Sequence, residues 1–292
     1  MIRSLTTLLL LANVTPVDLP PTLSEPLALQ GGWIEVQPIP HLKKDHVAPE
    51  VQARAALLID NATGLVLYEK NADESLPMAS LTKIMTAVMI LEHHQLDEVV
   101  TISSNYADLE GVKIFLHQGE QMTVGSLLQA LLLPSAGDAA MALAEYHSGS
   151  VEAFVEEMNQ RAKSLNLMHT HFKNPVGLDE EGHVSTASDL AQLARYAMHF
   201  SAFRNIVNQP SAAIESVDGR FSYALTNTNR LLASYLDVLG IKTGTTDEAG
   251  ESVINLARNE QGHEVLSVLL NSPDRFQESK SMLDWAFRSY LW

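Results

Sequence analysis

Ser80 and Lys83 set a hydroxyl and an amine three positions apart in the stretch Ser80-Leu81-Thr82-Lys83. On a helix that spacing puts both on one face about a turn apart, so the two side chains can meet. A serine hydroxyl becomes a nucleophile when a nearby base takes its proton, and a lysine serves as that base only when burial or a neighbouring cation disfavours its charged form. Lys83 lies among Leu81, Ile84 and Met85, where an unpaired ammonium is costly. At a helix N-terminus, backbone N–H groups and the positive dipole end would favour an oxyanion developing at Ser80. The same spacing is met where a serine simply caps a helix, so the chemistry depends on what the rest of the chain brings.

The elements that would hold these groups follow from periodicity. From Ser80 to His93 the apolar residues Leu81, Ile84, Met85, Val88 and Leu91 recur at three- and four-residue steps, which predicts a core-facing helix beginning at Ser80. Ala55 to Ile59 and Leu65 to Tyr68 read as two strands of a hairpin, joined through a loop whose Asn61 and Gly64 tolerate turn geometry. Further helical patterns cover 124–132, 138–146, 151–165, 186–198 and 274–287, with Thr186 and Asp189 spaced as a capping box. Strands are predicted over 221–225, 239–243, 252–257 and 264–270, the last two joined by the short Asn259 to His263 link. Strands at both ends of a helical centre predict an α+β architecture in which N- and C-terminal strands share one antiparallel sheet packed by helices.

Composition narrows the classes of function. The 292 residues are 46% apolar, ample for a buried core, and could form one large domain or two small ones. Nineteen basic against 35 acidic residues leave a formal charge of −16, which argues against a nucleic-acid or anionic-membrane surface because phosphate binding needs clustered Lys and Arg. The absence of cysteine excludes disulfides, thiolate metal sites, cysteine nucleophiles and cysteine-linked lipid anchors. No apolar run reaches the ~18 to 20 residues of a membrane-spanning helix. Arg3 and the apolar run from Leu5 to Ala12 fit a short secretory signal or an ordinary partly apolar start, with no evident small-x-small cleavage site. Pro16, Pro20, Pro21, Pro26, Pro38, Pro40 and Pro49 predict an extended leader over 16–50. The expected division is a signal-like and Pro-rich segment over 1–50 and a single folded domain over 51–292.

The stretch AALLIDNATGLVLYEKNADESLPMASLTKIMTA, from Ala55 to Ala87, resembles the start of the low-molecular-mass penicillin-binding proteins. These are the serine D-alanyl-D-alanine carboxypeptidases and their endopeptidase relatives, peptidase family S11. The segments LLLPSAGDAAMALAE around Ser135, FKNPVGLDEEGHVSTASDLAQLARYA from Phe172 to Ala197, and GIKTGTTDEAG from Gly240 to Gly250 extend the resemblance over most of 51–290. A Ser-x-x-Lys, a second serine and a Lys-Thr-Gly are an established signature of penicillin-binding proteins and class A β-lactamases. The resemblance implies a β-lactamase/transpeptidase-like fold in which Ser80 is acylated, Lys83 is the general base and Ser135 relays a proton to the leaving amine. It also implies that Lys242 is a fixed positive charge that disfavours protonation of Lys83 and, with Thr243, binds a terminal carboxylate. Gly244 would let substrate backbone approach closely, and the N–H of Thr245 would join that of Ser80 as an oxyanion donor.

One position departs from the family pattern. The second motif is usually Ser-x-Asn, whereas this chain reads Ser135-Ala136-Gly137. In the family the Asn side chain is assigned to a substrate carbonyl and to orienting the first lysine. Either Gly137 leaves room for a water or a different substrate group, with activity retained, or the protein is acylated but turns over poorly. Asp138 is expected to cap the next helix. Arg230 could reinforce a carboxylate pocket or be a plain surface arginine, and His183 is expected to be a turn residue outside the site. Neither His169 with His171 nor His93 with His94 has a further ligand at helical or hairpin spacing, so no metal and no cofactor are expected.

The activity implied is that of a penicillin-sensitive DD-peptidase acting on peptidoglycan stem peptides outside the cytoplasmic membrane, with β-lactams as inhibitors. Ending at Trp292 just after the last helical pattern, the chain is expected to lack the extra C-terminal domain and amphipathic anchor of many carboxypeptidase relatives. That compactness resembles the endopeptidase branch. The alternatives are a serine β-lactamase, for which no Glu-x-x-Leu-Asn segment is found, and a binding or scaffolding module without turnover, motivated by Gly137.

Overall fold

Successive side chains of a strand point to opposite faces of its sheet, and in this chain that alternation sets the layering. The computed structural model describes residues 39–44 and 46–292, so the signal-like stretch and most of the expected leader lie outside the described residues. Strands β1 (Ala55–Asp60) and β2 (Val66–Lys70) form the predicted hairpin, and β3 (Asp237–Thr246), β4 (Gly250–Arg258) and β5 (Glu264–Ser272) follow one another near the other end of the chain. They join in the order β3, β4, β5, β1, β2, antiparallel throughout, with Val268 opposite Leu57 where the two chain regions meet.

The two faces of this sheet feed two cores. Leu57 and Ile59 of β1 and Leu266 and Val268 of β5 pack toward most of the helices, whereas Ala56, Leu58, Val265 and Leu269 pack toward Met282, Leu283 and Ala286 of a C-terminal helix. The helices are α1 (Lys83–His93), α2 (Val124–Leu132), α3 (Gly137–Ser148), α4 (Val151–Ser164), α5 (Ala187–Ala197), α6 (Ser201–Val207) and α7 (Arg275–Ser289). Helix α1 is central, touching α2 through α6, and its residues from Lys83 to Ile90 are all buried. Burying Ile84, Met85, Val88 and Ile90 contributes roughly 1.5 to 3 kcal/mol each, which offsets the cost of taking Lys83 out of water on the same helix.

Four helices start on side-chain caps: Thr123, Ser150, Thr186 and Asp274 accept from the backbone N–H of Ser126, Ala153, Asp189 and Gln277. The box predicted at Thr186 is half made, since the Asp189 carboxylate turns instead to His169 N and the Thr170 hydroxyl. Elsewhere the chain departs from the periodic reading. The helix predicted from Ser80 starts at Lys83, because Ala79 takes a left-handed φ of 49° and Ala79–Thr82 forms a turn of 3-10 helix. The strand predicted at 221–225 is present as Ser222–Thr226, but it pairs with an unanticipated strand, Ser211–Glu215, in a hairpin apart from the main sheet. Within the expected leader, His41–Leu42 pairs with Tyr290–Leu291. Among the described residues no helix is long and apolar enough to cross a membrane.

Candidate active site

The turn Ala79–Thr82 leads into α1 beside β3, an outer strand of the sheet. A Cβ on Gly244 of β3 would stand 3.0 Å from Ser80 N and 3.0 Å from Ala79 Cβ, so this strand end lies directly on the turn. Gly177, at φ 89°, closes on it as well: a Cβ there would stand 2.0 Å from Ala79 O, and only glycine fits. In this cradle Lys83 Nζ lies 3.0 Å from Ser80 Oγ and donates to Val176 O at 2.6 Å. Burial lowers the Lys83 pKa to about 7, with the Asp138 carboxylate opposing part of that shift. An amine so placed is substantially unprotonated at neutral pH and can take the serine proton.

Lys242 is just as buried, and its Nζ donates to Thr243 O at 3.0 Å. Burial, then the charges of Lys83 and Arg275, hold its pKa well below the ordinary lysine value. Two buried amines that feel each other resist carrying two protons, so the positive charge expected at Lys242 also works against a second proton on Lys83. Arg275 at the start of α7 brings a second cation to this strand end. Its guanidinium donates to Gly244 O at 2.7 Å and to the Thr245 hydroxyl, and a guanidinium keeps its charge even where burial lowers its pKa. Arg230 stacks over Phe276, 5.8 Å from the ring centre, with no hydrogen bond to 242–245 among the described residues.

Ser135 sits in the turn between α2 and α3 at φ 69°, buried, with its Oγ lacking a hydrogen-bond partner among the described residues. Its neighbours locate it. Leu133 O accepts from Thr228 N at 3.1 Å, and the Thr228 hydroxyl lies 2.6 Å from that of Thr243 on β3. On the other flank Gly137 abuts Val176, whose carbonyl takes the Lys83 amine. The Ser135 turn thus bridges the strand side and the lysine side. Leaving a buried hydroxyl unpaired costs about 1–3 kcal/mol, and a site that will receive a polar substrate atom is one reason to carry that cost.

Beside Gly137 there is no spare room. A Cβ there would stand 3.0 Å from Leu109 Cδ2, 3.2 Å from Val176 Cγ1 and 3.4 Å from Val112 O. Two apolar side chains and a backbone carbonyl line the position, so a side chain there would have to displace them by a few tenths of an ångström. The N-cap position of α3 is Ala136; from the first turn the Asp138 carboxylate accepts from Ala139 N at 3.0 Å, and it also accepts from Ile114 N at 3.2 Å and Leu116 N at 3.1 Å, pinning the 112–116 loop.

His183, expected outside the site, is buried with Nε2 2.7 Å from the Thr82 hydroxyl, one residue from Lys83. His94 bonds to Glu98 and His147, and among the described residues no group of three or more His, Cys, Asp or Glu is arranged to hold a metal. Arg275 and His183 are the functional candidates that sequence reasoning passed over.

The frame that carries this geometry has known counterparts. The crystal structure of the Streptomyces K15 DD-transpeptidase matches with a TM-score of 0.78 and 32% identity, over 83% of this chain and 99% of that one, so the fold is the transpeptidase fold. A family profile described as D-alanyl-D-alanine carboxypeptidase, peptidase S11, matches residues 42–274. This chain belongs to that family. The D-alanyl-D-alanine carboxypeptidase DacF of Bacillus subtilis (strain 168) is 39% identical over 247 residues, covering 82% of this chain and 63% of that protein. DacC of Escherichia coli (strain K12) is 38% identical over 262 residues, covering 83% and 63%. The chain thus spans a little under two thirds of the length of either relative.

Proposed function

We propose that this protein is a serine-type D-Ala-D-Ala carboxypeptidase or DD-endopeptidase that cleaves peptidoglycan stem peptides through an acyl-enzyme on Ser80, in a catalytic domain formed by residues 51–292. The observation that carries the reading is a buried amine, its pKa lowered to about 7, 3.0 Å from a serine hydroxyl. Ser80 Oγ attacks the carbonyl carbon of the D-Ala-D-Ala amide as its proton passes to Lys83 Nζ. The N–H groups of Ser80 and Thr245 receive the oxyanion. Ser135 Oγ relays the proton to the departing amine, the C–N bond breaks, and water then hydrolyses the ester to restore Ser80. Lys242 and Arg275, with the hydroxyls of Thr243 and Thr245, meet the terminal carboxylate of the substrate, which favours cleavage at a chain end.

Family membership supports the substrate class, and a peptidoglycan substrate calls for a protein that works outside the cytoplasmic membrane. β-Lactams, which offer a strained amide and a carboxylate to the same groups, act as inhibitors. Intact-protein mass spectrometry after exposure to penicillin tests the reading: a single adduct on the natural chain and none on Ser80→Ala is expected. An adduct that persists in Ser80→Ala would remove Ser80 as the nucleophile.

The crowding of Gly137 by Leu109 and Val176 favours one second reading, a protein that is acylated but turns over little. Stoichiometric acylation without steady-state release of D-alanine from a muramyl pentapeptide would select it.

A further inference from the structure

The peptide joining Ala79 to Ser80 is held against its own preference. Ala79 has φ 49°, a conformation disfavoured for a residue with a Cβ, so something must fix the orientation of that peptide. A trans peptide is planar, with C=O and N–H pointing opposite ways, and whatever fixes Ala79 O therefore also aims Ser80 N–H. Ala79 O accepts from the buried Thr82 hydroxyl at 2.8 Å. At the other end of the same plane, Ser80 N faces Gly244 of β3.

A hydroxyl has one proton to give, and here its direction is settled by His183. The Lys173 backbone N–H can only donate, and it meets His183 Nδ1 at 3.0 Å, so Nδ1 accepts and the ring proton sits on Nε2. Nε2 then donates to Thr82 Oγ1 at 2.7 Å, which leaves the Thr82 proton for Ala79 O. The relay runs one way, from the Lys173 amide through His183 and Thr82 to Ala79 O. Burial holds the imidazole neutral, with its pKa lowered to about 4; His171, Lys173 and Lys83 act in the same direction and Asp179 against it. The histidine is delivered by the short pairing of Leu76–Pro77 with Val184–Ser185, which ties its loop to the segment entering the turn.

Resting on the serine-peptidase reading, we propose that His183 and Thr82 are positioning residues that aim the Ser80 N–H at the developing oxyanion by gripping the far end of its peptide plane. Because such a donor acts in the transition state, its loss slows the chemical step and leaves initial binding alone. Stopped-flow acylation by a chromogenic cephalosporin separates the two. Thr82→Val, which keeps the shape and removes the hydroxyl, is expected to lower the acylation rate constant about 10²-fold while the Kd of the first complex stays within about twofold. Thr82→Ser is expected to restore most of the rate.

His183→Asn keeps an acceptor for the Lys173 amide and loses the donor to Thr82, so a loss of about tenfold is expected. The double variant should be no slower than Thr82→Val alone, since both break one relay. Thermal melting of the same samples reports folding, and if Thr82→Val does not fold, His183→Asn with Thr82→Ser carries the comparison. A folded Thr82→Val that is acylated within about threefold of the natural rate overturns the positioning role, as do additive losses in the double variant. A natural chain that no β-lactam acylates sinks the serine-peptidase reading and this inference with it; normal acylation beside an unaffected Thr82→Val sinks this inference alone.

Discussion

Two turns in this molecule present a serine from a strained backbone at the head of a helix, and they are supported in opposite ways. The Ser80 turn, with Ala79 at φ 49°, is pressed by the backbones of Gly177 and Gly244, bonded through Thr82, and has Lys83 Nζ 3.0 Å from its hydroxyl. The Ser135 turn, at φ 69°, is flanked by Leu109 and Val176, and its hydroxyl has no partner among the described residues. Polar clamps on the serine's own peptide and hydroxyl orient a group that must react in one direction, whereas a turn fixed by its backbone bonds and by packing can hold a hydroxyl in place and leave it free to turn. A nucleophile gains from the first arrangement and a proton relay from the second.

Removing the base tests the clamped side most severely. Lys83→Met is expected to slow acylation by about 10²- to 10⁴-fold. On the proposed mechanism the reactive form is the unprotonated Lys83 amine, whose pKa is lowered to about 7, so acylation should rise with pH through about 7 and fall roughly tenfold per unit below it. A rate that stays flat between about pH 5 and 8 would take the proton-accepting role away from Lys83.

Ser135→Ala probes the free hydroxyl and should separate stability from turnover. Deleting a buried, unpaired oxygen is expected to stabilise the fold by up to about 1 kcal/mol in chemical denaturation, while release of D-alanine slows about 10²-fold. A loss of stability would mean that Ser135 is held by a bond after all. The smallest effect is expected at Gly137→Asn, where the new side chain meets Leu109 and Val176 at a cost of about 1–3 kcal/mol, with no gain in D-alanine release. Adding Leu109→Ala should recover part of that stability. A large gain in release from Gly137→Asn alone would show that the position had been open.

Legibility in the sequence followed the range of each interaction. Ser80 and Lys83 are three residues apart and the residues from Lys242 to Thr245 are contiguous, so each forms a short motif through which the family resemblance could single them out. The main sheet was readable for a similar reason: β1, β4 and β5 are long apolar runs whose only stable place is between two layers. Arg275 escaped because its contact with Gly244 O crosses from the start of α7 to the end of β3 and leaves no local pattern, and Arg230 stood nearer to Lys242 in sequence. His183 was set aside as a turn residue because burial and tautomer are fixed by partners ten and 101 positions away. Strand Ser211–Glu215 and helix α6 are short, the strand mostly exposed and the helix under two turns long, with too few apolar repeats to register. The helix predicted from Ser80 began three residues late because the Ala79 backbone is bent by contacts with Gly177 and Thr82 that lie outside any periodicity.

The position of β1 between β5 and β2 governs when activity can first arise during synthesis. Leu57 finds its neighbour Val268 only after the chain has been made through β5, so the hairpin of β1 and β2 must wait with one edge open. Gly244 and Arg275 arrive in the same late stretch that closes this edge. A ribosome-bound fragment that stops short of β3 therefore carries the serine and its lysine without the wall that flanks them.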